Sequence, residues 1–127
     1  MKQKFSRKWK ASKQPRKQRK YKANAPLHLR HKAVSANLSK ELKTRYKRKS
    51  FPIRKGDSVK VMRGEFKKKT GKISLVNLIK MRVAIEGIQK QKKDGTKVNV
   101  YFNPSNLQIT DLNLEDKERD KALRRGK

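Results

Sequence analysis

The chain contains no cysteine. Disulfides, thiolate-bound zinc and a thiol nucleophile are thereby excluded, and a reducing compartment is permitted. Acidic residues are few: 10 Asp and Glu stand against 39 Lys and Arg in 127 residues, a formal net charge of +29. A compact domain with that charge repels itself unless a polyanion neutralises it, so the composition predicts a polyanionic partner. Apolar residues are also scarce, at 32% of the chain against about 45–50% in ordinary soluble proteins. That is material for one small core, with much of the length left outside it. No apolar run approaches the ~18 residues of a membrane span, and the basic N-terminus lacks the apolar stretch of a signal peptide. A soluble, intracellular protein without a membrane partner is expected.

The positive charge is concentrated. Residues 1–55 hold 21 Lys and Arg with Glu41 as the only acid, whereas residues 56–112 hold 12 against 5 and residues 113–127 hold 6 against 4. Val and Ile show the opposite bias: of thirteen in the chain, eleven lie between residues 55 and 112, where strands require them. Residues 1–24 therefore read as a basic extended tail, unable to bury enough apolar surface to order itself. Phe5, Trp9 and Tyr21 interrupt this tail; aromatics among cations stack on unpaired bases or rest against the protein's own body.

Residues 25–53 read as short helices and a basic connector. Ala25-Pro26 ends the tail and starts a helix to about Ser35. His28 and His31 share a face of it, but two ligands without Cys or a nearby carboxylate make a poor metal site. Ser39 reads as the N-cap of a second helix ending near Tyr46, followed by the cationic run Lys47-Arg48-Lys49.

From residue 54 the period changes to two. Val59 and Val61, then Ile73 and Leu75, then Met81, Val83 and Ile85, then Val98, Val100 and Phe102, then Leu107 and Ile109 alternate with polar neighbours, predicting five strands. Five short strands over residues 54–112 suit a small SH3-like or OB-like barrel closed on itself. Gly56, Gly64 and Gly71 mark its turns. Gly71 is expected to be required, either for a positive φ or to let another backbone pass close. The loop between the first two strands carries Lys67, Lys68 and Lys69, and a second basic loop carries Lys90, Lys92 and Lys93. Residues 113–127 read as a helix capped by Asn113, stopped near Gly126, and marginal unless docked. The acidic residues are scattered, no His stands beside a nucleophile, and the glycines close a strand hairpin rather than a phosphate loop, so no enzyme is predicted.

The hairpin at residues 54–76 resembles the KOW motif of ribosomal proteins and of elongation factors of the NusG type, through Gly56-Asp57, Val59, Val61, Gly64, Gly71-Lys72 and Ile73. Together with Lys13-Gln14-Pro15-Arg16-Lys17-Gln18-Arg19-Lys20, Ala25-Pro26-Leu27-His28-Leu29-Arg30-His31-Lys32, Leu38-Ser39-Lys40-Glu41-Leu42 and Asn103-Pro104-Ser105-Asn106, it is similar to the archaeal and eukaryotic form of large-subunit ribosomal protein twenty-four, numbered twenty-six in eukaryotes. Lys47 and Lys68 stand where that family often has Gly, and Asn103 where it has His. The resemblance selects the SH3-like form of barrel. It further implies a structural constituent of the large ribosomal subunit that binds the 5′ domain of its RNA near the nascent-chain tunnel exit, with a role in assembly and with neighbouring ribosomal proteins as further partners.

No cofactor, small-molecule substrate or independent oligomer is expected. The RNA-binding candidates are Lys13, Arg16, Lys17, Arg19, Lys20, His28, Arg30, His31, Lys32, Arg48, Arg54, Lys55, Arg63, Lys67, Lys68, Lys69 and Lys72. The rival readings are a KOW-containing transcription elongation factor and an architectural nucleic-acid-binding protein, since phosphate attraction alone does not separate RNA from duplex DNA.

Overall fold

The computed structural model describes residues 5–125; the first residues of the tail and the expected stop at Gly126 lie outside them. Seven strands occur among the described residues: β1 (Ser35–Leu38), β2 (Ser50–Pro52), β3 (Ser58–Val61), β4 (Thr70–Asn77), β5 (Arg82–Gln91), β6 (Lys97–Phe102) and β7 (Leu107–Asp111). Their hydrogen-bonded order is β2-β1-β7-β3-β4-β5-β6, antiparallel throughout except for β1 beside β7.

The five strands expected between residues 54 and 112 are all present as β3 to β7. The expectation that they close on themselves is corrected. The ladder is open, ending at β2 and β6 among the described residues. Its two extra strands come from the segment read as helices and connector. Ser35-Ala36-Asn37-Leu38 does alternate, and Ala36 and Leu38 point into the core, but four residues between two helices give too short a period to register.

The core is correspondingly wider than the Val and Ile count suggests. Val59, Val61, Ile73, Val83, Ile85, Leu107 and Ile109 are fully buried, and Val34, Leu38, Phe51 and Ile53 bring a second wall from before the turn at residues 54–57. Helices α1 (Pro15–Asn24), α2 (Leu27–Ala33), α3 (Lys40–Tyr46) and α4 (Lys117–Arg124) surround the sheet, with a 3-10 turn at Arg7–Ala11. The Ser39 hydroxyl caps α3 by accepting from the Leu42 N–H at 3.3 Å, and the helix stops at Lys47 in the left-handed conformation, φ 52°.

The tail reading is corrected in form. Residues 15–24 are α-helical, with Pro15 at the first position, although the helix buries no residue. Low apolar content predicts that a segment lacks a core of its own; it does not weigh the helix propensity of Lys, Arg, Gln and Ala, which is high. With no acid in its first turn, α1 also sets Arg16 beside Arg19 and Lys20 at helical spacing, where like charges repel.

Gly71 lies second in β4, opposite Val59, and its φ is not positive. The reason for glycine is close approach: a Cβ there would stand 2.7 Å from Ile85 Cγ2 and 3.0 Å from the Glu86 carbonyl oxygen. The Ile85 side chain is itself fully packed in the core, so it has little room to give way. Gly71→Ala is expected to cost about 1–3 kcal/mol, the usual penalty of overpacking, and Gly71→Val more. Chemical denaturation of the two variants checks this, and an unchanged midpoint for Gly71→Val rules it out. Gly56 and Gly64 are the hairpin glycines with positive φ, +89° and +94°.

Helix α4 is capped by Asp116, which accepts from the Glu118 N–H at 2.9 Å, not by Asn113 as expected. Asn113 serves the core instead, giving its N–H to Asp57 at 3.1 Å. The helix is firmly docked. Leu123 is fully buried, and Arg119 forks onto Asp57 with Nη1–Oδ1 at 2.7 Å and Nη2–Oδ2 at 2.6 Å. Arg119 is 4% exposed and Asp57 0%. Arg54 adds an exposed ion pair to Asp116, and the hydrogen bonds from the Arg54 side chain and the Glu118 N–H hold the Asp116 carboxyl below its ordinary range.

Candidate nucleic-acid interface

The loop joining β3 to β4 is built, not slack. The Lys68 N–H reaches the Val61 carbonyl at 2.8 Å, the Val61 N–H reaches the Lys69 carbonyl at 2.9 Å, and the Lys67 and Lys69 N–H groups close turns on Gly64 and Phe66. Phe66 turns inward, packing edge-on against Phe102 with ring centroids 5.9 Å apart. Arg63, Lys67, Lys68 and Lys69 therefore stand exposed on a loop anchored through its own backbone and one aromatic plug.

One cation of the second basic stretch, Lys90, comes to the same place. β5 runs on to Gln91, so the connection to β6 is shorter than the sequence suggests, and Lys90 projects from the strand toward the first loop. Its ammonium lies 5.4 Å from the Phe66 ring centroid and 2.6 Å from a Glu65 carboxylate oxygen, while Lys69 covers the same ring at 5.0 Å. Both members of the Lys90–Glu65 pair are more than half exposed, so the pair orients Lys90 and contributes at most about 1 kcal/mol to stability. Lys90 belongs with the candidate residues. Lys90 and Glu65 are 25 positions apart in sequence, and no local pattern links them.

The other candidates separate into distinct groups. Lys55 and Lys72 are exposed at the opposite end of the β3–β4 hairpin, where the Gly56 N–H bonds the Ile73 carbonyl. Lys13, Arg16, Lys17, Arg19 and Lys20 lie exposed in and just before α1. His28 and Lys32 are exposed on α2. Arg30, His31, Arg48 and Arg54 are half-buried, and the three arginines hold the protein to itself. Arg30 donates to the Ala23 carbonyl, fastening α1 to α2; the Arg48 guanidinium sits 5.8 Å from the Phe51 ring centroid; Arg54 is paired with Asp116. Burial, then the nearby charges of Arg54 and Arg119, push the His31 imidazole below its usual value. No group of three potential metal-ligating side chains lies together among the described residues.

Lys68 adopts φ 73° and Lys47 φ 52°, so both positions where this chain has Lys in place of a Gly frequent in the family it resembles are left-handed positions. A side chain there costs about 1–2 kcal/mol, partly offset by the chain entropy that Gly loses on folding. Lys68→Gly is expected to stabilise the fold by about 0.5–1 kcal/mol while lowering the slope of log affinity against log salt by about 0.7–0.9, one phosphate contact. Melting and a salt series on one variant test both signs.

A family model for the ribosomal proteins L26 of eukaryotes and L24 of archaea matches residues 12–126. The chain is similar to large ribosomal subunit protein uL24 of Methanosphaera stadtmanae, 49% identical over 114 residues that span 90% of this chain and 97% of the relative. It is equally similar to the protein of that name from Korarchaeum cryptofilum, 49% identical over 114 residues spanning 90% of this chain and 87% of the relative. A basic, β-rich chain with its cations set on an anchored strand hairpin and a flanking helix, matched by this model over nearly all its length, belongs to the L26 and L24 family of ribosomal proteins.

Proposed function

We propose that this chain is a structural constituent of the large ribosomal subunit, not an enzyme, and that it binds large-subunit RNA by neutralising phosphates between RNA helices. The observation that carries the reading is the convergence of Lys67, Lys68, Lys69 and Lys90 on the Phe66-anchored hairpin, together with a separate helix, α1, none of whose cations is ion-paired among the described residues. A rigid cationic loop fixes register on a phosphate backbone, whereas a cationic helix adds affinity wherever phosphates crowd. Arg forks onto a phosphate and Lys acts as a point charge.

The order β7-β3-β4-β5-β6, in which the last strand returns to pair with the first of a meander, supports reading these five as an SH3-like strand order left open rather than closed, and extended at one edge by β1 and β2. The site on the RNA is its 5′ domain, near the nascent-chain tunnel exit, with neighbouring ribosomal proteins as the other partners and the cytoplasmic ribosome as the location. The test is binding of the full chain to a 5′-domain RNA fragment and to duplex DNA of equal length at matched salt. Preference for the RNA is expected; equal affinity favours an architectural nucleic-acid-binding role.

A further inference from the structure

Residues 5–24 form an aromatic cleft that phosphate neutralisation alone does not account for. The 3-10 turn at Arg7–Ala11, just before the family match begins at residue 12, lies against α1 and encloses a cleft of about 320 Å3 lined by Phe5, Trp9, Tyr21, Lys17, Lys20 and Asn24. Phe5 and Tyr21 meet with ring centroids 4.9 Å apart and planes tilted by 50°. Trp9 is 56% exposed, and the Lys17 ammonium lies 4.6 Å from its ring centroid. Lys17, Lys20, Tyr21 and Asn24 follow the spacing of one helix face, so α1 presents two cations, a ring and an amide together.

We infer that this cleft takes one unpaired RNA base, stacked on Trp9, with its flanking phosphates on Lys17 and Lys20; the inference rests on the RNA-binding reading above. A volume of about 320 Å3 is at the small end of ligand pockets, about 300–1,000 Å3. The lining contains rings, cations and one amide but no carboxylate, a chemistry that rejects cations and suits a flat group bearing negative charge. Asn24 offers both a donor and an acceptor to a base edge. Aromatic rings beside cations are the common platform for single-stranded nucleic acid, because every base has a π face. The phosphates of a paired helix bring no such face to the cleft.

Trp9 is the only tryptophan in the chain, so selectively excited tryptophan emission reports on this cleft alone. The test titrates the full chain with a short oligoadenylate and with an abasic ribose-phosphate polymer of equal length. Quenching by the oligoadenylate and not by the abasic polymer is expected. Trp9→Ala should weaken oligoadenylate binding by about 5- to 150-fold, leave abasic-polymer binding and the salt slope unchanged, and be largely rescued by Trp9→Phe. Equal quenching by both polymers, or an equal loss of affinity for both in Trp9→Ala, overturns the inference and reduces the aromatics to a clasp between the turn and α1. If the intact chain binds neither polymer at low salt, the RNA-binding reading itself falls, and the base site with it. Should Trp9→Ala also lose helix content by circular dichroism, the comparison of the two polymers on the unsubstituted chain decides.

Discussion

Arg119→Leu is expected to lower the unfolding free energy by about 3–5 kcal/mol, a large share of the 5–15 kcal/mol available to a small domain. Asp57 is completely buried, and its carboxylate accepts four hydrogen bonds: two from Arg119, one from the Arg54 N–H at 2.9 Å and one from the Asn113 N–H at 3.1 Å. Arg119 also donates to the Asn113 and Pro52 carbonyls, at 2.6 and 3.2 Å, and its guanidinium lies 5.5 Å from the Phe51 ring centroid. One ion pair thus joins the β2–β3 turn, the chain after β7 and helix α4. Removing the cation leaves a carboxylate in the core with only backbone donors around it, which is why breaking such a pair costs far more than the net worth of the pair.

Removing both charges, as in Asp57→Leu with Arg119→Leu, is often harmless for an isolated buried pair. Here it should recover only part of the loss, because the Arg54 and Asn113 N–H groups are left without their acceptor, at about 1–3 kcal/mol for each buried donor. Urea denaturation of the single and double variants, analysed as a cycle, measures this. A loss below about 1 kcal/mol for Arg119→Leu, a size typical of exposed pairs, would contradict a locking role for the buried fork.

Deleting residues 1–23 is expected to leave the fold standing while removing most of the salt dependence of RNA binding. Neither α1 nor the preceding 3-10 turn buries a residue, and among the described residues the one polar tie lost is the Ala23 carbonyl that accepts from Arg30. The stability change should stay within about 1.5 kcal/mol, the net worth of a hydrogen bond. The deleted segment holds 11 Lys and Arg. If about six of them touch phosphate, at roughly 0.7–0.9 per contact, the slope of log affinity against log salt flattens by about 4–5.

Neutralising Lys67, Lys68 and Lys69 together should flatten the slope by no more than about 2–3, yet shift where the protein sits on the RNA. Their loop is held by backbone bonds and by Phe66, whereas α1 is tied to the body chiefly through Arg30. Affinity across a salt series and chemical footprinting of the RNA separate the two effects. An unchanged slope after the deletion would show that the N-terminal cations do not meet phosphate.

Much of this protein is determined locally and is legible in the order of its residues. The alternation of Val59 with Val61 and of Val83 with Ile85 sets β3 and β5, Ser39 caps α3, and the excess of Lys and Arg before residue 55 locates the attraction for a polyanion, because each depends on neighbours within a few positions. Propensity within residues 15–24 also carried a helix, hidden by the weight given to charge. The rest was decided by contacts between distant segments. Arg119 and Asp57 are 62 positions apart, Lys90 and Glu65 are 25 apart, and the Cβ that Gly71 excludes would meet Ile85 and Glu86 on another strand. In sequence, Arg119 is one cation among the alternating charges of a polar helix, and Asp57 one acid in a turn. Only the docking of α4 strips both of water, and desolvation makes this the one buried ion pair among those the described residues form.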